Sequence, residues 1–135
     1  MLAAMILGAD GVQVGSRFVA SEEASSHQLF KEKVVATGEG DTQLTLKELA
    51  PVRLIKNKFY SAIEHAYAQG ASVEELKTLL GRARAKRGMF EGDMEQGELE
   101  IGQVAALIHD IKPAAAIVAS MVEEFEIAKK KMYNL

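Results

Sequence analysis

The chain has 135 residues, 48% of them hydrophobic and 26% charged, and a formal net charge of -3. That length and mixture suit one soluble globular domain rather than two, and the absence of a basic excess argues against a protein whose main business is binding nucleic acid. With no cysteine, disulfides, thiolate nucleophiles and Cys-ligated metals are excluded.

Leu2-Ala3-Ala4-Met5-Ile6-Leu7 reads as the last turns of a buried helix, closed by Gly8 as a C-cap. The segment is apolar, but it has neither the basic n-region nor the cleavage-like site of a signal peptide. No run in the chain approaches the roughly 18–20 apolar residues that span a bilayer, so no membrane association and a cytoplasmic location are expected. Asp10-Gly11 turns into Val12-Gln13-Val14, a short strand with β-branched residues at both ends. Helix tail plus strand is half of an α/β unit, and a buried strand needs sheet neighbours for its backbone groups. No obvious parallel partner follows, so the sequence reads as cut.

Ser21-Glu22-Glu23 predicts a helix start, with a capping hydroxyl and an acidic first turn, running through Leu29, Phe30 and Val34 toward Ala36. Gly38-Glu39-Gly40-Asp41 breaks it. From Thr42 to Lys56 the pattern is that of a loop excursion or a small hairpin. Leu44 and Leu46 alternate with polar residues, and Pro51 forces a turn or extended backbone. From Asn57 the pattern is helical, with Phe59, Ile63, Ala66 and Tyr67 on one face and Gly70 as the stop. Ser72 to Glu75 is a capping box, and its helix, carrying Leu76, Leu79 and Leu80, is expected to last until Gly88. Gly92-Asp93 and Gly97 mark turns. Ile101, Val104, Ala105, Leu107 and Ile108 predict another amphipathic helix. Pro113 opens a last one, with Ile117, Met121, Val122 and Phe125 on its buried side and Lys129-Lys130-Lys131 at its end.

The run Leu7-Gly8-Ala9-Asp10-Gly11-Val12-Gln13-Val14-Gly15-Ser16-Arg17-Phe18 resembles the last barrel strand of the nitronate monooxygenase family, which includes the FMN-dependent enoyl-ACP reductase II enzymes. Three further segments resemble that family in the same order: Arg53-Leu54-Ile55-Lys56-Asn57-Lys58-Phe59, Gly88-Met89-Phe90-Glu91-Gly92-Asp93, and Gly102-Gln103. The resemblance implies an α/β fold, namely the C-terminal portion of an FMN-binding TIM (β/α)8 barrel. The chain itself would be mostly α-helical, with one short barrel strand and a small hairpin. Residues 1–36 would end the barrel, 37–56 form the excursion, and 57–135 the helical part of one incomplete domain. The earlier strands, a Gly-rich phosphate-binding turn and the family's active-site His would lie upstream, so no catalytic residue is assigned here.

By the same resemblance Gln13, Gly15 and Ser16 lie beside the flavin phosphate, Gly15 and Ser16 as direct contacts. A dianion there needs backbone that approaches closely and offers N–H donors, and barrels commonly hold phosphate at the loops after their last two strands. Without the resemblance, Gly15-Ser16 is a strand-end turn. His27, His65 and His109 are expected in surface or helix-end roles. The series Glu91, Asp93, Glu95, Glu98 and Glu100 lacks the ligand rhythm of a calcium loop and reads as a solvated turn. No metal site is assigned. Arg82, Arg84, Lys86 and Arg87 read as a solvated helix end, or as an attraction for an acidic partner such as acyl carrier protein or the cofactor phosphates. Gln103 is a candidate for the active-site mouth.

The implied parent chemistry is flavin redox. One reading is reduction of an enoyl-thioester, free or carried on acyl carrier protein, with NAD(P)H as electron donor through FMN. The other is oxidation of alkyl nitronates, with oxygen reoxidising the flavin. A third reading is a non-catalytic helical fragment that is stable only by self-association, since an orphan strand and its helices favour a homo-oligomer.

Overall fold

The computed structural model describes residues 1–133. Helix α1 (Leu2–Ile6) forms where expected but is not buried: Met5, Ile6 and Leu7 face solvent. Gly8 takes φ +96 after it, a conformation that costs glycine little. The expected strand at Val12–Val14 is not formed. That segment runs without regular structure into α2 (Ser16–Val19), because the two-stranded hairpin is the only sheet among the described residues.

The helix predicted from Ser21 starts later, as α3 (Gln28–Val35), with His27 as its cap. The His27 Nδ1 accepts the Leu29 N–H at 3.2 Å. Residues 20–27 are committed elsewhere. Ser21 Oγ donates to the Phe18 carbonyl, Ser21 bridges Lys112, and the Glu22 N–H donates to the Lys112 carbonyl at 3.0 Å. Glu23 accepts the Ala114 N–H at 2.8 Å, at the start of α6 (Ala114–Met132). The acidic first-turn signal is real, but it serves a helix 91 residues away, where a carboxylate opposes the positive end of the dipole.

The excursion is a hairpin, β1 (Thr42–Thr45) antiparallel to β2 (Val52–Ile55), with Thr42 opposite Ile55. β2 is bounded on its other edge by residues 99–101, through Ile55 N–H to Leu99 O at 2.9 Å and Ile101 N–H to Arg53 O at 3.1 Å. Of the alternating pair only Leu46 is buried; Leu44 is exposed. Helix α4 (Lys58–Ala68) follows, capped by Asn57 and stopped before Gly70 at φ +72. Helix α5 (Val73–Leu80) has the predicted capping box in full, but it ends at Gly81 rather than Gly88. A separate π-helical turn, Lys86–Phe90, takes over. The helix predicted over 101–108 is reduced to a 3-10 stretch, Gln103–Leu107, because Ile101 is held beside β2.

Two apolar clusters make the core. One gathers Ala20, Phe30, Val34, Ile55, Leu99, Ile101, Ala105 and Ile108. The other gathers Leu46, Leu54, Phe59, Ile63 and Leu76. Each fully buried large side chain contributes roughly 1.5–3 kcal/mol of transfer free energy. On α6 the expected face is only partly used: Ile117 is buried, Met121 and Phe125 half-buried, and Val122 exposed. Among the described residues no helix is long and apolar enough to cross a membrane.

Candidate functional site

Gly15 caps α2 with φ -104, an ordinary angle for any residue, and a Cβ built on it meets nothing within 4 Å. Neither backbone geometry nor packing inside the chain requires glycine there, so the open space in front of it is what distinguishes the position. Ser16 is the first residue of α2, and its Oγ accepts the Gly102 N–H at 3.2 Å. The hydroxyl proton is left to donate. Among the described residues, the N–H groups of Gly15 and Ser16 donate to no other group.

These two residues share an open groove of about 410 Å³ with Pro51, Arg53, Glu100 and Gly102. Arg53 comes from β2 and is steadied by donation from Nη1 to the Thr42 carbonyl at 3.1 Å and the Thr42 hydroxyl at 3.2 Å. A Cβ on Gly102 would stand 2.8 Å from Ser16 Oγ, so a side chain there would displace that hydroxyl. Donors from four points thus surround the groove, with the Glu100 carboxylate as the opposing charge. Gln13 is exposed and does not line the groove. Arg53 and Gly102 were quoted from the sequence only as parts of motifs; strand pairing is what brings them to Ser16, and no local pattern signals it. Gln103 is exposed at the start of the 3-10 stretch, outside the groove lining.

The other sequence candidates have local duties. His27 caps α3, and its ring lies so close to Gly92 that a Cβ there would sit 2.6 Å away. His65 is exposed in the last turn of α4, and His109 is exposed beside Asp110. Arg17 pairs with Asp110, which Lys112 also meets at 2.7 Å. The basic cluster is mostly engaged by the protein itself. Arg84 lies 4.4 Å from the Phe59 ring centroid and donates to the carbonyls of Leu79, Leu80 and Gln96. Lys86 pairs with Glu91 and Arg87 with Asp93.

The acidic series is likewise divided. Asp93 accepts the N–H groups of Gln96 and Glu95, the former above all holding it below the usual carboxylate range. Glu95 pairs with Lys58 at 2.6 Å. Glu98 differs, because it is 9% exposed. Burial first, then the charge of Glu100, pushes its pKa up to about 6 against the opposing pull of Arg84. Between the ordinary value of 4.5 and about 6 the folded chain therefore binds more protons than the unfolded one. The Glu98 contribution to stability is present below that window and is lost as pH rises through it. Glu98→Gln is expected to be more stable than the natural chain at pH 7 by about 2 kcal/mol at most, with the difference shrinking by pH 4. Urea midpoints of both proteins at the two pH values check this, and a pH-independent difference would refute it.

Comparison with known proteins places the chain in a family. The sequence model of the nitronate monooxygenase family matches residues 1–124. The chain is 29% identical over 125 residues to a probable nitronate monooxygenase of Staphylococcus saprophyticus, covering 92% of this chain and 35% of that protein. It is 34% identical over 102 residues to a probable nitronate monooxygenase of Bacillus subtilis, covering 75% and 29%. FabK from Thermotoga maritima superposes with a TM-score of 0.84 at 35% identity, covering 98% of this chain and 42% of that one. The chain thus spans less than half the length of each of these proteins. The fold is a helix-rich portion of a TIM-barrel protein with a two-stranded hairpin.

Proposed function

The chain belongs to the nitronate monooxygenase family, and we propose that it is the C-terminal part of an FMN-dependent oxidoreductase whose flavin phosphate lies against Gly15 and Ser16. The observation that carries this reading is the groove itself. Free N–H groups at Gly15 and Ser16, the Ser16 hydroxyl and the Arg53 guanidinium border one open space where glycine is unexplained by packing. These groups fit a phosphate dianion, which takes charge-assisted hydrogen bonds from backbone, hydroxyl and guanidinium donors. When bound, the isoalloxazine ring supplies the electron transfer. The chain's own residues bind and orient the phosphate end, and the Gly102 N–H, by occupying one lone pair of Ser16, fixes where its hydroxyl proton points.

Within that chemistry we favour reduction of enoyl-thioesters, free or carried on acyl carrier protein, with NAD(P)H as donor, in the cytoplasm. The stretches Lys56-Asn57-Lys58-Phe59 and Glu98-Leu99-Glu100-Ile101-Gly102-Gln103 support it by their likeness to the reductase branch. Oxidation of alkyl nitronates is the alternative, supported by the named relatives. A homo-oligomer is favoured by the apolar face that Met5, Ile6, Ile127 and Met132 expose.

FMN titration of the 135-residue chain, read by flavin fluorescence with particle size measured in the same buffer, tests the phosphate site. Saturable binding is expected, lost at least tenfold in Gly15→Asp, which sets a carboxylate against the phosphate. The space around Gly15 lets that variant fold as the natural chain does. Equal binding by the two would overturn the assignment.

A further inference from the structure

The phosphate groove suits an anion, yet two carboxylates stand at its edge. Segment 98–101 runs extended beside β2, tied to it through Leu99 O and the Ile101 N–H, and Leu54 bridges Glu100. Leu99 and Ile101 enter an apolar cluster, so by strand alternation Glu98 and Glu100 share the opposite side, with Cα atoms about 7 Å apart. Glu100 lines the groove with Gly15, Ser16 and Arg53. Glu98 stands behind it at 9% exposure. Among the described residues neither enters an ion pair, and the Glu98 carboxylate has no hydrogen-bond partner.

The charged groups around this pair are already engaged. Arg84, from the turn after α5, attracts Glu98, but its guanidinium donates to the carbonyls of Leu79, Leu80 and Gln96 and stacks on Phe59. Arg53, from β2, donates through Nη1 to Thr42. In the π-turn and the loop after it, Lys86 pairs with Glu91 and Arg87 with Asp93, while Lys58 at the start of α4 holds Glu95. A buried carboxylate beside a like charge takes a proton more readily than an exposed one, in keeping with the pKa of about 6 at Glu98.

On the reading that the groove takes the flavin phosphate, we propose that binding there is coupled to proton uptake. A phosphate dianion entering beside Glu100 draws a proton from solvent onto the Glu98–Glu100 pair, chiefly onto Glu98, so the groove holds its ligand more tightly as pH falls. The proton adds to a carboxylate oxygen, and no other bond changes. The physical cause is like-charge repulsion: two further negative charges make the doubly ionised pair more costly, and protonation relieves it at the buried member. By linkage, affinity rises with acidity wherever the complex holds more protons than the free chain.

FMN titrations of the natural chain, Glu98→Gln and Glu100→Gln, read by flavin fluorescence at pH 8 and pH 5, test the coupling. The second ionisation of a phosphate monoester, near about pH 6, is common to all three proteins and cancels in their affinity ratios. Glu98→Gln is expected to bind FMN about fivefold more tightly than the natural chain at pH 8, with the gain falling below about twofold at pH 5. Glu100→Gln should also bind more tightly at pH 8, since it removes the charge on the groove wall. Calorimetry at pH 6.5, in two buffers of unlike ionisation heat, should count about 0.4 more protons taken up per FMN by the natural chain than by Glu98→Gln. Equal proton counts with a pH-independent affinity ratio would overturn the coupling and leave the phosphate site standing. Weaker binding at pH 8 by a folded Glu98→Gln would overturn it as well. No saturable binding by any of the three would overturn the phosphate reading and the coupling together.

Discussion

Gly97→Ala is expected to destabilise the chain by about 3 kcal/mol or more, beyond the range of ordinary overpacking. A Cβ on Gly97 would stand 2.2 Å from Gly88 Cα, 2.4 Å from Asp93 O and 2.6 Å from Gly88 N. All three are backbone atoms, so no side chain can rotate out of the way. The contact is reciprocal: a Cβ on Gly88 would stand 2.6 Å from Glu98 O. Two segments meet main chain to main chain, with the Gly97 N–H donating to Asp93 O at 3.0 Å. Gly11→Ala is the control, because nothing lies within 4 Å of its Cβ. Chemical denaturation of the two variants should separate them by most of that 3 kcal/mol, and a Gly97→Ala midpoint near the natural one would show that the loop shifts freely.

Asn57→Ala is the second large effect. Its Oδ1 caps α4 by accepting the Tyr60 N–H at 3.0 Å, while its Nδ2 donates to Met94 O at 3.0 Å and Gly97 O at 2.9 Å. Loss of the cap costs about 1 kcal/mol, and two partly buried carbonyls left without a donor bring the sum to about 2–4 kcal/mol. Substitution by Asp separates the parts, because a carboxylate keeps the cap but offers no donor and faces two carbonyl oxygens. Asn57→Asp is therefore expected to be at least as unstable as Asn57→Ala at neutral pH. Thermal denaturation of both decides it: an Asn57→Asp chain as stable as the natural one would leave the cap as the whole contribution.

These residues show what the sequence made legible. Ser72 announced its helix through local capping chemistry, and apolar spacing after Asn57 announced the other; both helices begin where expected. Gly70 and the Gly38–Asp41 break were equally local. The failures share a cause. Ser21-Glu22-Glu23 has the composition of a helix start, but its groups are spent on Lys112 and Ala114, partners that no window of sequence contains. Ile101 to Ile108 has helical spacing, yet Ile101 is held beside β2. Val12–Val14 has the composition of a strand but does not join the hairpin, the one sheet among the described residues. The candidate site divides in the same way. Gly15 and Ser16 were legible through a motif, whereas Arg53 and Gly102 reach them only by strand register and a turn after it.

Leu54 and Ile55 are neighbours on β2 and point to opposite faces, as successive strand residues must, one into each apolar cluster. The strand is a party wall: neither cluster can open without baring the side of β2 that it covers. Since β2 is also hydrogen-bonded along both edges, its amides exchange with solvent only when the hairpin, α4 and the 99–101 segment part together. The two clusters therefore behave as one cooperative unit, and damage at either is felt across the strand by the other.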